Sequence, residues 1–177
     1  GADLLPGVCR VAAERGLTVG ILGGQPGAAE AAAWQLTVDY PGLRVTLVDS
    51  APLGFDQSPD SLQDVLDHVA ARDPDILFIG LGAPKAEKFA HRHRDQLGAG
   101  VTLCVGAAID FAAGVAVRAP RSWQRVGCEW LWRLLHEPRR LVRRYAKATP
   151  LFVLAVLPSL LRLLVPIGKR SDRPADR

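Results

Sequence analysis

The chain has 177 residues, 49% hydrophobic and 23% charged, a balance that suits one domain with a buried core and excludes a disordered or fibrous chain. Its three cysteines, Cys9, Cys104 and Cys128, are odd in number and show no C-x-x-C spacing, which argues against a disulfide framework or a zinc site and for a reducing compartment. The net charge of +4 hides a division: residues 1–117 carry 8 basic and 14 acidic side chains and residues 118–177 carry 14 and 4, so the second stretch wants an anionic partner such as a membrane surface, a phosphate or a nucleic acid.

The sequence contains no methionine and opens on Gly1, which reads as a fragment or a processed form. No secretory leader opens it and no apolar run reaches about 18 uninterrupted residues, so secretion and a spanning helix are both disfavoured.

Four short runs rich in Val, Ile and Leu recur at intervals of roughly 26 to 31 residues, the length of a βαβ step. The first, 18–22, ends in Gly23-Gly24-Gln25-Pro26-Gly27, and a helix is expected over 28–40, closed by the Pro41-Gly42 turn. The second run is 44–48, followed by a polar loop that holds Gly54 and Phe55. A helix over 61–72 carries Leu62, Val65, Leu66, Val69 and Ala70 as one stripe, with Asp60 and Gln63 resembling a capping box. The third run, 75–80, ends in Gly80-Leu81-Gly82-Ala83-Pro84-Lys85, and a helix over 85–97 follows. The fourth, 101–105, ends in Gly106-Ala107-Ala108-Ile109-Asp110. Runs that do not alternate with polar residues are expected in strands buried on both faces, so the fold class is α/β, a parallel sheet layered with helices.

After Pro120 the composition turns to Trp, Leu and Arg, with helices expected over 122–136 and 139–148, Pro138 opening the second. At 100° per residue Arg139, Arg140, Arg143, Arg144 and Lys147 span about 140°, with Leu141, Val142 and Tyr145 opposite. A solvated charged face is the plain reading, but Trp123, Trp130, Trp132 and the apolar stretch 151–165 favour an anchor on an anionic membrane surface. Pro158 and Arg162 interrupt that stretch and suit an interfacial helix pair rather than a span. Residues 169–177 read as a disordered tail.

Ligands of open parallel sheets bind beyond the carboxyl ends of the strands, where glycine-bearing turns and helix amino termini meet. Gly23, Gly24, Gly82 and Gly106 belong to three such turns, none of them a Walker A loop, and Gly23 to Gly27 lacks the G-x-G-x-x-G spacing. Asp110 can accept from a ribose or a base, or cap a helix. Lys85 and Glu87 can touch a ligand, or form a surface pair. Phe55 can stack on a base, or pin its own loop. His91 and His93 lie on different helix faces and His68 and His136 have no partner by spacing, so no metal site is expected, and no nucleophile-elbow motif is present.

Six blocks in order resemble the WecG/TagA/CpsF glycosyltransferases: Gly1-Ala2-Asp3-Leu4, Leu22 to Gly27, Pro74 to Lys85, Val105 to Gly114, Arg118-Ala119-Pro120, and Gly127-Cys128-Glu129-Trp130-Leu131-Trp132-Arg133-Leu134-Leu135-His136-Glu137-Pro138-Arg139-Arg140-Leu141. The resemblance covers residues 1 to about 152. It implies a Rossmann-like nucleotide-sugar-binding domain over 1–118 and a basic, membrane-binding helical appendage over 119–168. It further implies inverting, metal-independent transfer of an N-acetylmannosamine-type sugar from UDP to a polyprenyl-diphosphate-linked acceptor, at the cytoplasmic face of the bacterial membrane, for cell-surface polysaccharide.

Carried over by position, Asp110 and Phe55 would hold the uridine, Gly23, Gly24 and Gly82 would lie near the diphosphate and sugar, and Arg133, Arg140 and Arg143 would bind phosphates. Arginines suit that task, because breaking a UDP-sugar bond leaves charge on the departing diphosphate. Ala86 stands where the family usually has Gln, removing a donor expected to touch the sugar, and Phe55 stands where Tyr is usual. The family's aspartate base belongs to an amino-terminal portion preceding Gly1, so binding without robust turnover is expected of these residues alone. A noncatalytic nucleotide-sugar-binding subunit is the alternative. An appendage that closes the site across a subunit boundary would make a homo-oligomer. Nucleic-acid binding is disfavoured by the acidic first part and the lack of any recognisable module.

Overall fold

In the computed structural model, residues 1–136 and 138 are described; the side chain of Arg133 and the expected helix over 139–148, the stretch 151–165 and the tail lie outside the described set. The chain divides into two units, Gly1–Val117 and Arg118–Arg177.

The first unit is a four-stranded parallel sheet of β1 (Thr18–Gly23), β2 (Arg44–Asp49), β3 (Ile76–Gly80) and β4 (Val101–Cys104), in the order β2-β1-β3-β4. Each strand lies within two residues of its expected bounds. Alternation along β1 splits the core in two. Val19 and Ile21, with Phe78 of β3, face α1 (Leu4–Arg15), α2 (Ala28–Asp39) and α5 (Ala108–Ala112). Leu22, Leu47, Leu77 and Ile79 face α3 (Pro59–Ala70) and α4 (Lys85–His93) on the other side. The sheet is thus sandwiched between helices, as non-alternating strands require. Burial on both faces holds for the central strands, whereas the edge strands β2 and β4 stay partly exposed, since each has a neighbour on one side only.

Several elements differ from expectation. Helix α1 buries Leu5, Cys9 and Ala12 one or two turns apart, and Pro6 falls in its first turn, where a missing N–H costs nothing. Burial pushes the Cys9 thiol up to about 12, so it is an inert core residue. Helix α3 starts at Pro59, with Ser58 at the cap position and no side-chain cap, so the Asp60/Gln63 capping box does not form; Gln63 instead donates to Asp67 at 2.8 Å. Helix α4 ends at His93 rather than 97, its last turn being followed by the Arg94–Asp95 surface pair.

At the amino end of the sheet, Asp75 accepts from both the Thr18 amide and its hydroxyl at 2.7 Å, and the Thr18 hydroxyl oxygen accepts from the Asp75 amide at 2.9 Å. This reciprocal clip fixes the start of β1 against β3. The Thr18 hydrogen bonds hold the Asp75 carboxyl below its usual range.

In the second unit the helix expected over 122–136 is broken into α6 (Arg121–Arg125) and α7 (Glu129–His136), because Gly127 takes φ +72 between them. Trp132 of α7 packs edge-on against Trp123 of α6, with ring centroids 5.6 Å apart, and stacks on His136 at 4.2 Å. Val126, Trp130 and Leu135 remain exposed. Among the described residues no helix is long and apolar enough to cross a membrane.

Candidate functional site

The chain runs from β1 out to β2, then returns across the sheet to β3, so the strand order reverses between β1 and β3. The connections from neighbouring strands depart to opposite faces at such a point, leaving a crevice at the carboxyl edge where ligands of open α/β sheets sit. Three of the glycine-bearing turns meet there.

The backbone is unusually close at this edge. Gly24 donates its amide to the Gly80 carbonyl at 3.1 Å, continuing the β1–β3 ladder past the last strand residues. A methyl on Gly80 would stand 2.6 Å from Ile109 Cδ1 and 3.2 Å from Gly24 N. Gly24 takes φ +97, and a methyl there would meet Ala28 Cβ and Ile109 Cγ2, both at 3.1 Å. No larger residue fits either place without displacing Ile109, which is fully buried.

Asp110 lies in α5, directly after the Gly106 turn, and is 2% exposed, the one charged residue buried among those described. Its Oδ1 accepts the Gln25 amide at 2.9 Å, so the loop after β4 holds the loop after β1 from 85 residues away. The α5 cap reading is not what the structure shows, since Asp110 sits inside the helix and its carboxylate reaches another loop. Its carbonyl also accepts from Val115 and Ala116.

On the α3/α4 face of the same edge, Phe55 begins a single 3₁₀ turn (Phe55–Gln57). Its ring is 2% exposed, meets Phe89 edge-on at 5.6 Å, and carries the Lys85 ammonium 4.7 Å from its centroid. In this structure Phe55 therefore pins its loop to the core; it offers no open face for stacking on a base. Lys85 Nζ is also 2.7 Å from Asp56 Oδ1. Asp56 follows β2 and Lys85 follows β3, so this clasp spans the carboxyl end of the intervening β1. The hydrogen bond from Lys85 holds the Asp56 carboxyl below its usual range.

Lys85 and Glu87 both stand in the first turn of α4, but they do not pair, because two residues apart they project to different sides of the helix. Glu87 is exposed, and its charge adds to burial in raising the Cys104 thiol at the end of β4. Ala86, between them, is 1% exposed and packs in the apolar cluster with Leu22, Ile79 and Phe89. Position 86, where a side-chain donor to the sugar was expected and alanine stands, thus turns its methyl to the core. The Ala83–Pro84 peptide before this helix is cis.

Gly23, Gly24, Gly82 and Gly106 lie on turns at one edge with Asp110 of α5, and Lys85, Glu87 and Phe55 stand beside them on the α4 side. Arg133 belongs to α7 of the second unit, and Arg140 and Arg143 lie outside the described residues. Sequence reasoning missed Gln25 as the donor to Asp110 and Asp56 as the partner of Lys85. It also gave His68 no partner, whereas His68 Nδ1 lies 3.0 Å from Asp49 Oδ2 at the end of β2. All three pairings join different elements or turns, 19 to 85 residues apart, and no local spacing announces them.

Glycine-bearing main-chain turns of this kind, an amino-terminal helix turn carrying Lys85 and a buried carboxylate suit a phosphorylated, hydroxyl-rich ligand. The family model described as "Glycosyl transferase WecG/TagA/CpsF family" matches residues 1–165. A glycosyltransferase takes a nucleotide-sugar donor and an acceptor, which is the ligand chemistry such an edge can receive. With the match spanning almost the whole chain, the protein belongs to the WecG/TagA/CpsF glycosyltransferase family.

Proposed function

We propose that this chain binds a UDP-sugar of the N-acetylmannosamine type at the β1/β3 switch point and serves its inverting transfer to a polyprenyl-diphosphate-linked acceptor at the inner face of the bacterial plasma membrane, in cell-surface polysaccharide synthesis. The observation that carries the donor half is the edge itself: the Gly23-Gly24 turn held by Asp110, with the Gly82 and Gly106 turns beside it. A ribose over the Gly24 backbone would meet the Asp110 carboxylate, whose Oδ1 accepts the Gln25 amide. Lys85 is the nearby cation for a diphosphate. Binding would require it to exchange the Asp56 carboxylate for a phosphate oxygen, a like-for-like charge-assisted bond. Arg133, Arg140 and Arg143 would add charge to the departing diphosphate in a metal-independent reaction.

The membrane half draws on composition and on the second unit. Residues 118–177 carry 14 basic against 4 acidic side chains, and α7 with the preceding turn exposes Trp130, Leu135 and Val126. Aromatic and aliphatic groups next to clustered cations suit an anionic lipid surface.

A second reading, donor binding without transfer, is favoured by the state of the carboxylates at this edge. Asp56 is clasped to Lys85, Asp49 accepts from Ala51 and faces His68, and Asp110 is buried against Gln25. None of these three stands ready to take a proton from an acceptor hydroxyl, and the exposed Glu87 of α4 is the carboxylate beside them that a transfer would have to use.

Calorimetric titration with UDP, using GDP and NAD as controls, tests the donor site. Asp110→Asn keeps an oxygen for the Gln25 amide and should weaken UDP by about tenfold, the loss of one charge-assisted bond. Asp110→Ala frees the loop as well and should abolish measurable binding. Equal affinity for all three nucleotides, or unchanged UDP affinity in both variants, would overturn the assignment. A transfer assay on the same chain then separates the enzyme from the binding subunit.

A further inference from the structure

The loop between β2 and α3, residues 50–58, is fastened at both ends and stands open between them. At its base the Ser50 hydroxyl donates to Glu30 of α2 at 3.0 Å, and the Asp49 carboxylate accepts the Ala51 amide at 2.7 Å. At its far end the Phe55 ring is buried against Phe89 of α4. The arch between these holds carries Leu53, 96% exposed, and two residues in the left-handed region, Ala51 at φ +52 and Gly54 at φ +78. That backbone is unfavourable for alanine, so the arch keeps its shape through its fastenings and not through local preference.

The remaining fastening is Asp56. Its Oδ1 lies 2.7 Å from Lys85 Nζ, and the same ammonium stands 4.7 Å from the centre of the Phe55 ring. One cation of α4 thus holds both an acid and a ring of the turn Phe55–Gln57. Both side chains of the pair are 38% exposed, so water screens it, and pairs of that kind hold their elements only weakly. A weak contact placed across the carboxyl end of β1 is suited to being exchanged. A phosphate offers more charge and more acceptor oxygens than a carboxylate, and so displaces Asp56 from Lys85.

We propose that Asp56 is a built-in competitor for phosphate and that segment 50–58 is a latch, closed while Lys85 holds Asp56 and opened when an anion at the switch point takes Lys85. The natural anion, the diphosphate of a UDP-sugar, rests on the donor reading; the latch of the free chain does not. Opening lifts the ammonium from the turn, leaves the Phe55–Phe89 contact to hold it, and lets the arch move about its left-handed residues. The coupling is reciprocal: the factor by which the closed latch weakens anion binding is the factor by which the anion favours the open latch.

Two amides report the latch directly, Phe55 N–H on the Pro52 carbonyl at 3.1 Å and Gln57 N–H on the Gly54 carbonyl at 2.8 Å. The test is hydrogen exchange read residue by residue on the full chain, alone and with UDP, uridine or pyrophosphate, with affinities from calorimetry. Asp56→Ala and Lys85→Met break the same contact from either side. Both should speed exchange at the two amides of the free chain by about two- to fivefold, the contribution of an exposed pair, and leave the amides of the sheet as they are. Their effects on UDP affinity should be opposite: about two- to fivefold tighter in Asp56→Ala and about tenfold weaker in Lys85→Met. In the wild type, saturating UDP should speed exchange at Phe55 and Gln57, whereas a ligand that merely covered the loop would slow it. Uridine has no phosphate for Lys85; it should leave both amides unchanged and bind wild type and Asp56→Ala equally. UDP binding that is unchanged or weaker in Asp56→Ala overturns the latch. So does exchange at the two amides that slows with UDP or ignores both substitutions. If UDP binds neither wild type nor Asp56→Ala, the donor reading alone fails and pyrophosphate decides the latch: faster exchange at the two amides in wild type but not in Asp56→Ala upholds it, and no change in wild type overturns it.

Discussion

Gly80→Ala is the sharpest probe of how the switch point is built. Gly80 does not have a left-handed backbone, so alanine meets no conformational penalty there, and the narrower unfolded ensemble would by itself add about 0.4–1 kcal/mol of stability. Space decides the sign instead. The new methyl stands 2.6 Å from Ile109 Cδ1 and 3.2 Å from both Gly106 O and Gly24 N, so the fully buried Ile109 side chain has to shift within the core. Overpacking of this kind costs about 1–3 kcal/mol, so a net loss of about 1–2 kcal/mol is expected. Ile109→Val removes the obstructing Cδ1 at a cost of its own of about 0.5–1.5 kcal/mol. If Cδ1 is the main obstacle, the double variant should be about as stable as Ile109→Val alone, giving a favourable coupling of about 1 kcal/mol. Urea unfolding of the four proteins, followed by far-UV circular dichroism, measures the cycle. Gly80→Ala at or above wild-type stability would refute the close approach at this edge. Simple additivity would show that the backbone atoms, not Ile109, set the limit.

Gly7, in the interior of α1, is the opposite case: a methyl there meets nothing within 4 Å, so Gly7→Ala should raise stability by about 0.5–1 kcal/mol in the same urea assay. Ala86→Gln would bury an amide among Leu22, Ile79 and Phe89. It should cost about 1–3 kcal/mol and leave UDP affinity unimproved, and tighter binding without loss of stability would place position 86 at the ligand after all. Asp75 has its carboxyl pKa depressed by Thr18, so its contribution is complete above the unfolded value of about 3.9 and is lost as pH falls through the lower folded value. The urea midpoint of Asp75→Asn should therefore lie below wild type at neutral pH and converge on it in acid. A gap that stays constant down to acid would mean the charge of Asp75 does not stabilise the clip.

The parallel sheet was legible because its signal is local: short Val, Ile and Leu runs at βαβ spacing, each ended by glycine. Helix α1 carried its own periodic signal in Leu5, Cys9 and Ala12, and Pro6 in its first turn is no obstacle to it, yet the sequence reading named no helix there. The break between α6 and α7 was written in Gly127, which needs φ +72, yet one glycine inside an apolar helical pattern does not by itself separate a kink from a tolerated residue. The glycine turns of the site could be named in advance. Which atoms they bring together could not, since Gln25 and Asp110 meet across 85 residues.

Two residues show why local chemistry and tertiary placement part company at this site. Phe55 looked like a stacking ring because it follows a glycine in a polar loop, and polar loops at strand ends are where ligands are met. The return of the chain from β2 across β1 to β3 lays that loop over the α3/α4 face, where a large ring gains more from Phe89 and Lys85 than from water. Ala86 shows the converse. Its spacing from Phe89, Ala90 and His93 places it on the buried side of α4, a helical period readable from sequence alone, whereas correspondence by motif weighed only the donor that alanine lacks. Both outcomes follow from the same topology: the crossing that creates the crevice between β1 and β3 also puts the Asp56–Lys85 clasp across its mouth, so any anion that entered there would compete first with a carboxylate of the protein itself.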